Sequence, residues 1–589
     1  MNANSTLVRA PLALFTRLRL VLTRHEELTG IVVWAAAIGF AGAIASVVFR
    51  EGIRLFELLI TGYSGSLVHI AASLPWWLRI VIPVAGGVAA GLTLHFGMRA
   101  LRAKPAMDYM EAIVVGSGVI GARATLVRSL SSLLTIASGG SIGREGPMVQ
   151  LAALIGSKLG GFVRAPVPRL RLMVACGAAA GIAAAYNAPI AGALFVAEIV
   201  MGSIAMESFG PLLVASVTAN ATLHNILGYG PVYQVPAFNL VSNWELVLYA
   251  ILGVVLGHLA PPFLAFLAWS KQQFARINAP IYVLMALGGL MVGGISVVAP
   301  QVWGNGYSVV SDILNGKLAG QLLLLILAAK VLSTAATVGS GAVGGVFTPT
   351  LFVGAAVGAL FGEGLHFMFP ATVPLSSAYG IVGMGGFLAA TTHAPLTSIL
   401  MMFEMTLNYQ VVLPLMLACV TSHYTAKVYR RGESIYHDAL MPDPADPSGA
   451  DDDWRLFTVS ELVKPCTAVV RRGATVEQVL NGLPKKPVQA VYVINDDKEL
   501  VASVSPHTLL EGIKTGQFAP STDIEAVTSP VTSSLRSDMP LGAALDAFLR
   551  ANARVLPVTS GQWQAILIGE VSRHDLLLAV QDRMSKRPR

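Results

Sequence analysis

The chain has 589 residues, 54% of them hydrophobic and 12% charged, with a formal net charge of +7. Soluble domains carry about 25% charged residues, so this composition excludes a wholly soluble protein, and the length excludes a single ordinary domain. Charged side chains are sparse from about residue 30 to 425 and ordinary from 427 onward, which predicts a membrane part followed by a soluble tail.

Residues 1–29 carry Arg9, Arg17, Arg19 and Arg24, with no acid before Glu26. No small-residue cleavage site follows a short apolar core, so no signal peptide is expected. Basic residues ahead of the first span predict a cytoplasmic N-terminus. The positive charge is thus a matter of topology, and nothing in it points to nucleic acid. Clear spans are IVVWAAAIGFAGAIASVVF (31–49), LVLYAILGVVLGHLAPPFLAFLAW (246–269) and QLLLLILAAKVLSTAATVG (321–339); a bilayer core of about 30 Å needs about 20 helical residues. Other apolar stretches are short or broken by Gly and Pro. Broken backbone at membrane depth is tolerated only where it is buried in protein or lines a cavity, which favours a transport protein over an anchor. Cys176, Cys419 and Cys466 have neither metal spacing nor a disulfide framework. No phosphate-binding loop, metal cluster or catalytic triad is found, so neither a metal nor enzyme activity is expected.

Two segments repeat one another. CGAAAGIAAAYNAPIAGALFVAEI begins at Cys176 and GMGGFLAATTHAPLTSILMMFEMT at Gly383. Each runs through small residues to Ala-Pro, and an acid stands nine positions after the proline, Glu198 after Pro189 and Glu404 after Pro395. Upstream, Gly143-Arg-Glu-Gly-Pro147 and Gly345-Val-Phe-Thr-Pro349 share the spacing Gly-x-x-x-Pro. Interrupted helices in corresponding positions of two halves place a substrate site at the interface of the repeats.

Gly followed by Pro in the first turn is how a helix starts. The first amides have no internal partner, and with the helix dipole they form a ready anion site. Two such starts facing each other would hold a dehydrated anion without a fixed cation, which would bind it too tightly for release. Glu145, among those amides, can occupy the place of the anion and block it until it is protonated or displaced. The competing reading is a local Arg144–Glu145 salt bridge bracing a re-entrant loop. Adjacent residues rarely face each other on a helix, and intramembrane acids are functional by default. Glu198 and Glu404 lie late in their helices, where a buried acid either caps neighbouring amides or carries protons; their symmetric placement favours the structural role.

GREGP (143–147), GGVFTP (344–349), the two Ala-Pro segments and the tyrosine of SIYHDAL (434–440), taken in order, resemble the CLC family of chloride channels and proton-coupled chloride transporters. The resemblance covers about residues 30–440. It implies an all-α polytopic membrane protein with an inverted-topology repeat, a homodimer with a separate pore in each subunit, and chloride and other small anions as cargo. By that resemblance Glu145 is the gating glutamate. The same resemblance implies an anion site of Gly143, Arg144, Glu145, Gly146, Gly345, Val346, Phe347 and Tyr436, with the amides of Arg144 to Gly146, Val346 and Phe347 and the Tyr436 hydroxyl as donors. Lys427, Arg430 and Arg431 after the last apolar run place the tail on the N-terminal side of a cell membrane.

Two departures from the family bear on mechanism. The usual Gly-Ser-Gly-Ile-Pro helix start, about forty residues before the gating glutamate, is absent; RAKPAMDYMEA (102–112) stands there. GSGVIG (116–121) lacks the proline and lies too close to Glu145, and reads as a loop. Proton-coupled members carry two consecutive acids after the first Ala-Pro helix, whereas this chain has Glu198-Ile199. Isoleucine cannot carry a proton, so the expectation is a passive channel, voltage- or pH-gated, and the resemblance adds a role as an electrical shunt under acid stress. The alternatives are a proton-coupled antiporter, or a nucleotide-sensing membrane protein with a vestigial pore. GREGP and Tyr436 argue against the fluoride-selective branch.

PDPADPSGADDD (442–453) marks a linker over 441–455. Two units follow, 456–518 and 519–589, each running Pro-turn, helix, apolar strand, strand, helix, and they resemble a CBS domain pair, a small α/β module. That resemblance places Ser572 and Asp575, and Ser505 and Thr508 in the first copy, at the ribose of an adenine nucleotide. The alternative is a ligand-free dimerisation clamp, and the residues favour neither.

Overall fold

The computed structural model describes residues 27–63, 65–101, 108–114, 116–202, 206–228, 230–235, 244–370, 377–429, 458–484, 488–530, 533–537, 539, 541–551, 553–560 and 566–585. The chain divides into two compact units, Met1–Pro442 and Asp443–Arg589.

The described part of the first unit is helical: α1 (Glu27–Thr61), α2 (Leu67–Ser73), α3 (Trp76–Ala100), α4 (Tyr109–Val114), α5 (Ala122–Ala137), α6 (Glu145–Phe162), α7 (Val167–Tyr186), α8 (Pro189–Phe195), α9 (Met206–Leu227), α10 (Glu245–Arg276), α11 (Ile281–Val298), α12 (Tyr307–Leu314), α13 (Gly320–Gly339), α14 (Phe347–Met368), α15 (Ala378–Thr392), α16 (Pro395–Thr406) and α17 (Val412–Val428). Among the described residues, eight helices are long and apolar enough to cross a membrane, the three spans read from sequence among them. Pro261 and Pro262 do not end α10, which runs for 32 residues. At about 1.5 Å per residue it is about 48 Å long, more than a core of about 30 Å requires.

The internal repeat is built into the packing. Gly177 on α7 and Gly383 on α15 hold the same place, twelve residues before the proline of each repeat. Each lets a neighbouring helix approach closely. A Cβ on Gly177 would lie 2.3 Å from the Ala152 carbonyl oxygen of α6, and one on Gly383 would lie 2.2 Å from the Gly354 carbonyl oxygen of α14. Small residues serve this purpose in membranes, where packing rather than water drives association. Helix α7 ends at left-handed Asn187 (φ 54°) and α15 at left-handed His393 (φ 59°), each two residues before the proline that opens the next helix. Helix α8 runs on into a π-helical turn, Val196–Val200, which carries Glu198.

The second unit holds β1 (Val469–Arg471), α18 (Val476–Asn481), β2 (Val491–Ile494), β3 (Leu500–Val504), α19 (Pro506–Lys514), β4 (Ser529–Pro530), β5 (Leu535–Arg536), α20 (Leu541–Ala551), β6 (Val555–Thr559), β7 (Leu567–Ser572) and α21 (Arg573–Ser585). Helix α18 starts on a capping box, Thr475 with Gln478, the Thr-x-x-Gln pattern that satisfies two orphan amides at once. In each copy a parallel pair, β1–β2 or β5–β6, adjoins an antiparallel pair, β2–β3 or β6–β7. Both antiparallel ladders slip register at matching places, Val493/Ile494 and Val558/Thr559. The copies exchange their leading segments. Val459 packs into the core of the second copy with Leu535 and Phe548, and Ile524 into that of the first with Val491 and Val493. β4 pairs with β3. The cores therefore do not divide where the sequence repeats do, between 518 and 519.

Candidate functional site

The two Gly-x-x-x-Pro motifs meet. Gly143 N donates to Gly345 O at 2.7 Å and Gly345 N donates to Gly143 O at 2.9 Å, an antiparallel bridge between segments far apart in sequence. From it α6 starts at Glu145 and α14 at Phe347, so two helix starts open side by side with their positive dipole ends together.

Glu145 is 4% exposed. Its Oε1 accepts a hydrogen bond from Thr348 Oγ1, while Oε2 is buried with no hydrogen-bond partner. That oxygen lies over the glycine bridge: a Cβ on Gly143 would fall 1.8 Å from it and one on Gly345 3.1 Å from it. Glycine at both positions leaves the room the carboxylate fills. A buried charged oxygen without a donor costs free energy, which suits a displaceable plug better than a brace.

The amides of Gly143 and Gly345 are spent on each other, so in this conformation these two residues supply space. Arg144, Gly146, Val346 and Phe347 do stand at the two helix starts. Rather than pairing with Glu145, the Arg144 guanidinium lies over Tyr307, with Cζ 5.3 Å from the ring centroid. Phe347 packs on Tyr186 and Phe195, at centroid distances of 4.7 and 6.1 Å, so an aromatic shelf borders the site. Tyr436 lies outside the described residues. Where the family's serine helix start is missing, α4 has its first amides taken by side chains: Tyr109 N donates to Gln150 Oε1 at 2.9 Å and Met110 N to Asp108 Oδ1 at 3.1 Å.

The two symmetric acids are exchanged between the halves. Glu404 on α16 accepts from Ile190 N at 3.0 Å and Ala191 N at 2.8 Å, at the start of α8. Glu198, following α8, accepts from Leu396 N at 3.3 Å and Thr397 N at 2.8 Å, at the start of α16, and from Thr397 Oγ1 at 2.6 Å. Each acid therefore caps the Ala-Pro helix of the other repeat, and both are held by the orphan donors that every helix start presents.

Thr348, Tyr307 and Lys330 did not emerge from the sequence. Thr348 has a visible signal, since it lies inside GGVFTP. Lys330 is fully buried, and its Nζ donates to the carbonyls of Val302 at 3.0 Å and Gly304 at 2.7 Å. It thereby ties down the loop that delivers Tyr307 beneath Arg144. An isolated lysine in an apolar run carries no mark of such a partner.

In the second unit, the four nucleotide candidates stand at equivalent strand-to-helix junctions. Ser572 Oγ donates to Asp575 Oδ2 at 2.8 Å and accepts from Asp575 N at 3.0 Å. Asp575 Oδ1 pairs with Lys464 Nζ at 2.8 Å, and this ammonium holds the carboxyl below its ordinary range, with Ser572 assisting. In the first copy Ser505 caps α19 by accepting from His507 N at 3.2 Å, and Thr508 is exposed.

With this geometry in hand, comparison with known proteins is direct. The family model described as voltage gated chloride channel matches residues 86–427, and that for the CBS domain matches residues 522–582. A ClcB-like protein of Ralstonia nicotianae is 54% identical over 416 residues, 70% of this chain and 97% of its own. The voltage-gated ClC-type chloride channel ClcB of Salmonella dublin is 41% identical over 408 residues, 68% of this chain and 97% of its own. Among solved structures, a slow cyanobacterial Cl-/H+ antiporter superposes with a TM-score of 0.62 at 26% identity, covering 70% of this chain and 97% of that one. A eukaryotic CLC transporter, at 18% identity and a TM-score of 0.60 over 92% of this chain and 97% of its own, shares the fold.

Proposed function

The chain belongs to the voltage-gated chloride channel (CLC) family, a multi-pass membrane protein that transports anions and carries a C-terminal CBS domain, and from that premise we propose that it is a passive chloride channel gated by Glu145. The observation that carries the choice of channel is the state of the acid after the first Ala-Pro helix. Glu198 is engaged by two amides and a hydroxyl of α16, and the next residue is Ile199, whose side chain cannot carry a proton. Anion conduction runs past the helix-start amides of Arg144, Gly146, Val346 and Phe347, with the Tyr436 hydroxyl as a further donor. Glu145 closes the path when it occupies the space above the glycine bridge. The protein works as a homodimer, one path per subunit, with its tail in the cytoplasm.

The second reading is proton-coupled exchange, supported by the 26% identity to a Cl-/H+ antiporter. The two are separated by chloride efflux from liposomes holding the purified protein, with external pH recorded at the same time. Efflux without proton movement is expected. Efflux that drives protons uphill would make the protein an exchanger. Either result excludes a vestigial pore, which an absence of efflux would favour.

The CBS pair binds an adenine nucleotide, with Ser572 and Asp575 as its ribose ligands. Because Lys464 already holds Asp575, the ribose displaces or shares that ammonium. ATP or AMP is expected to raise the thermal midpoint of the full-length protein, and Asp575→Ala to abolish the rise. If neither nucleotide shifts the wild type, the pair is a clamp.

A further inference from the structure

Beside the helix starts lies a cavity of about 440 Å³ whose polar lining, among the described residues, comes from Arg50, Arg144, Asn187, His224 and Tyr307. The five come from separate elements: α1, the residue before α6, the end of α7, α9 and the start of α12. Leu227 and Gly228, at its edge, are exposed. No carboxylate is among its described lining residues. Glu57, a buried acid nearby, lines a different cavity of about 220 Å³ that shares Arg144 and Tyr307.

The lining is built to donate. Arg50 Nε, Arg144 Nε and the Tyr307 hydroxyl are buried without a hydrogen-bond partner. His224 and Asn187 make a fixed wall: His224 Nε2 donates to Asn187 Oδ1 at 2.6 Å, and Asn187 Nδ2 donates to Gly230 O at 2.8 Å. Two guanidiniums facing one cavity repel each other, and unpaired buried donors are costly, so the site gains from an anion. Two forks match an oxyanion bidentately and a bare halide poorly. So strong a site also does not suit a step on a conduction path, where the ion must leave readily.

We propose that this cavity binds a dianionic tetrahedral oxyanion, of the sulfate or hydrogenphosphate class, between Arg50 and Arg144 with the Tyr307 hydroxyl as a third donor. The site stands on its own donors and does not require that the protein be a channel.

The test is a titration of the purified full-length protein in detergent with sodium sulfate, with sodium phosphate and with sodium chloride, each at matched ionic strength, followed by thermal midpoint. A saturable rise with sulfate or phosphate beyond that with chloride is expected, and the two salts separate the two members of the class. Arg50→Gln should weaken the half-saturating concentration at least tenfold. Tyr307→Phe, which keeps the ring under Arg144, should weaken it about threefold and serves if Arg50→Gln does not elute as a folded protein. A rise no larger than that with chloride, or unchanged half-saturation in the variants, overturns the site. Because the readout is binding, such a failure leaves the transport reading standing, and loss of transport leaves this site standing.

Discussion

Glu145→Gln is expected to raise anion flux at neutral pH by roughly tenfold or more and to flatten its dependence on pH. The carboxylate holds its place by a bond from the Thr348 hydroxyl, and a hydrogen bond to a charged group is worth about 1.5–3 kcal/mol. A neutral oxygen in the same place still accepts from Thr348 but for about 1.5 kcal/mol less, so losing the charge changes occupancy by roughly tenfold. In the wild type, protonation does the same, so flux should rise as pH falls. The glutamine keeps the shape and cannot titrate. The measurement is chloride efflux from liposomes at several pH values. A variant whose profile follows that of the wild type would remove Glu145 from the gate.

Glu404→Ala should be among the most destabilising single substitutions in the membrane unit. It strips the acceptors from Ile190 N and Ala191 N, and of these two residues Ala191 is buried and Ile190 exposed. A buried orphan costs about 1–3 kcal/mol, so the loss is at least that of Ala191 N. Glu198→Ala should behave alike, since it releases Leu396 N, Thr397 N and the Thr397 hydroxyl. The glutamine variants retain one acceptor and should fall between. Thermal inactivation of the detergent-purified proteins reads the order. If Glu404→Ala were as stable as the wild type yet transported differently, the acid would be a carrier rather than a cap.

Much of this architecture was legible because it is written locally. A helix start needs Gly and Pro within a few residues, a span needs an unbroken apolar run, and a repeat shows itself as matched spacing. Hence the spans, the paired GREGP and GGVFTP starts, and the acids nine residues after each Ala-Pro could all be read. The pairing of the Gly143 and Gly345 amides was not legible, for the opposite reason. Whether a backbone amide is free depends on what lies opposite it, and each lies opposite the other.

The sequence by itself determined that the chain is a two-part membrane protein with an internal repeat whose matched helix starts enclose Glu145, since composition, periodicity and motif spacing act over neighbouring residues. Only the tertiary structure decided that the two acids are swapped between halves as caps, that Thr348 holds Glu145, that Lys330 pins the loop under Arg144, and that Arg50, His224 and Tyr307 share a cavity. Those partners lie on different helices, and their meeting is set by how all the helices pack at once, to which no local pattern corresponds.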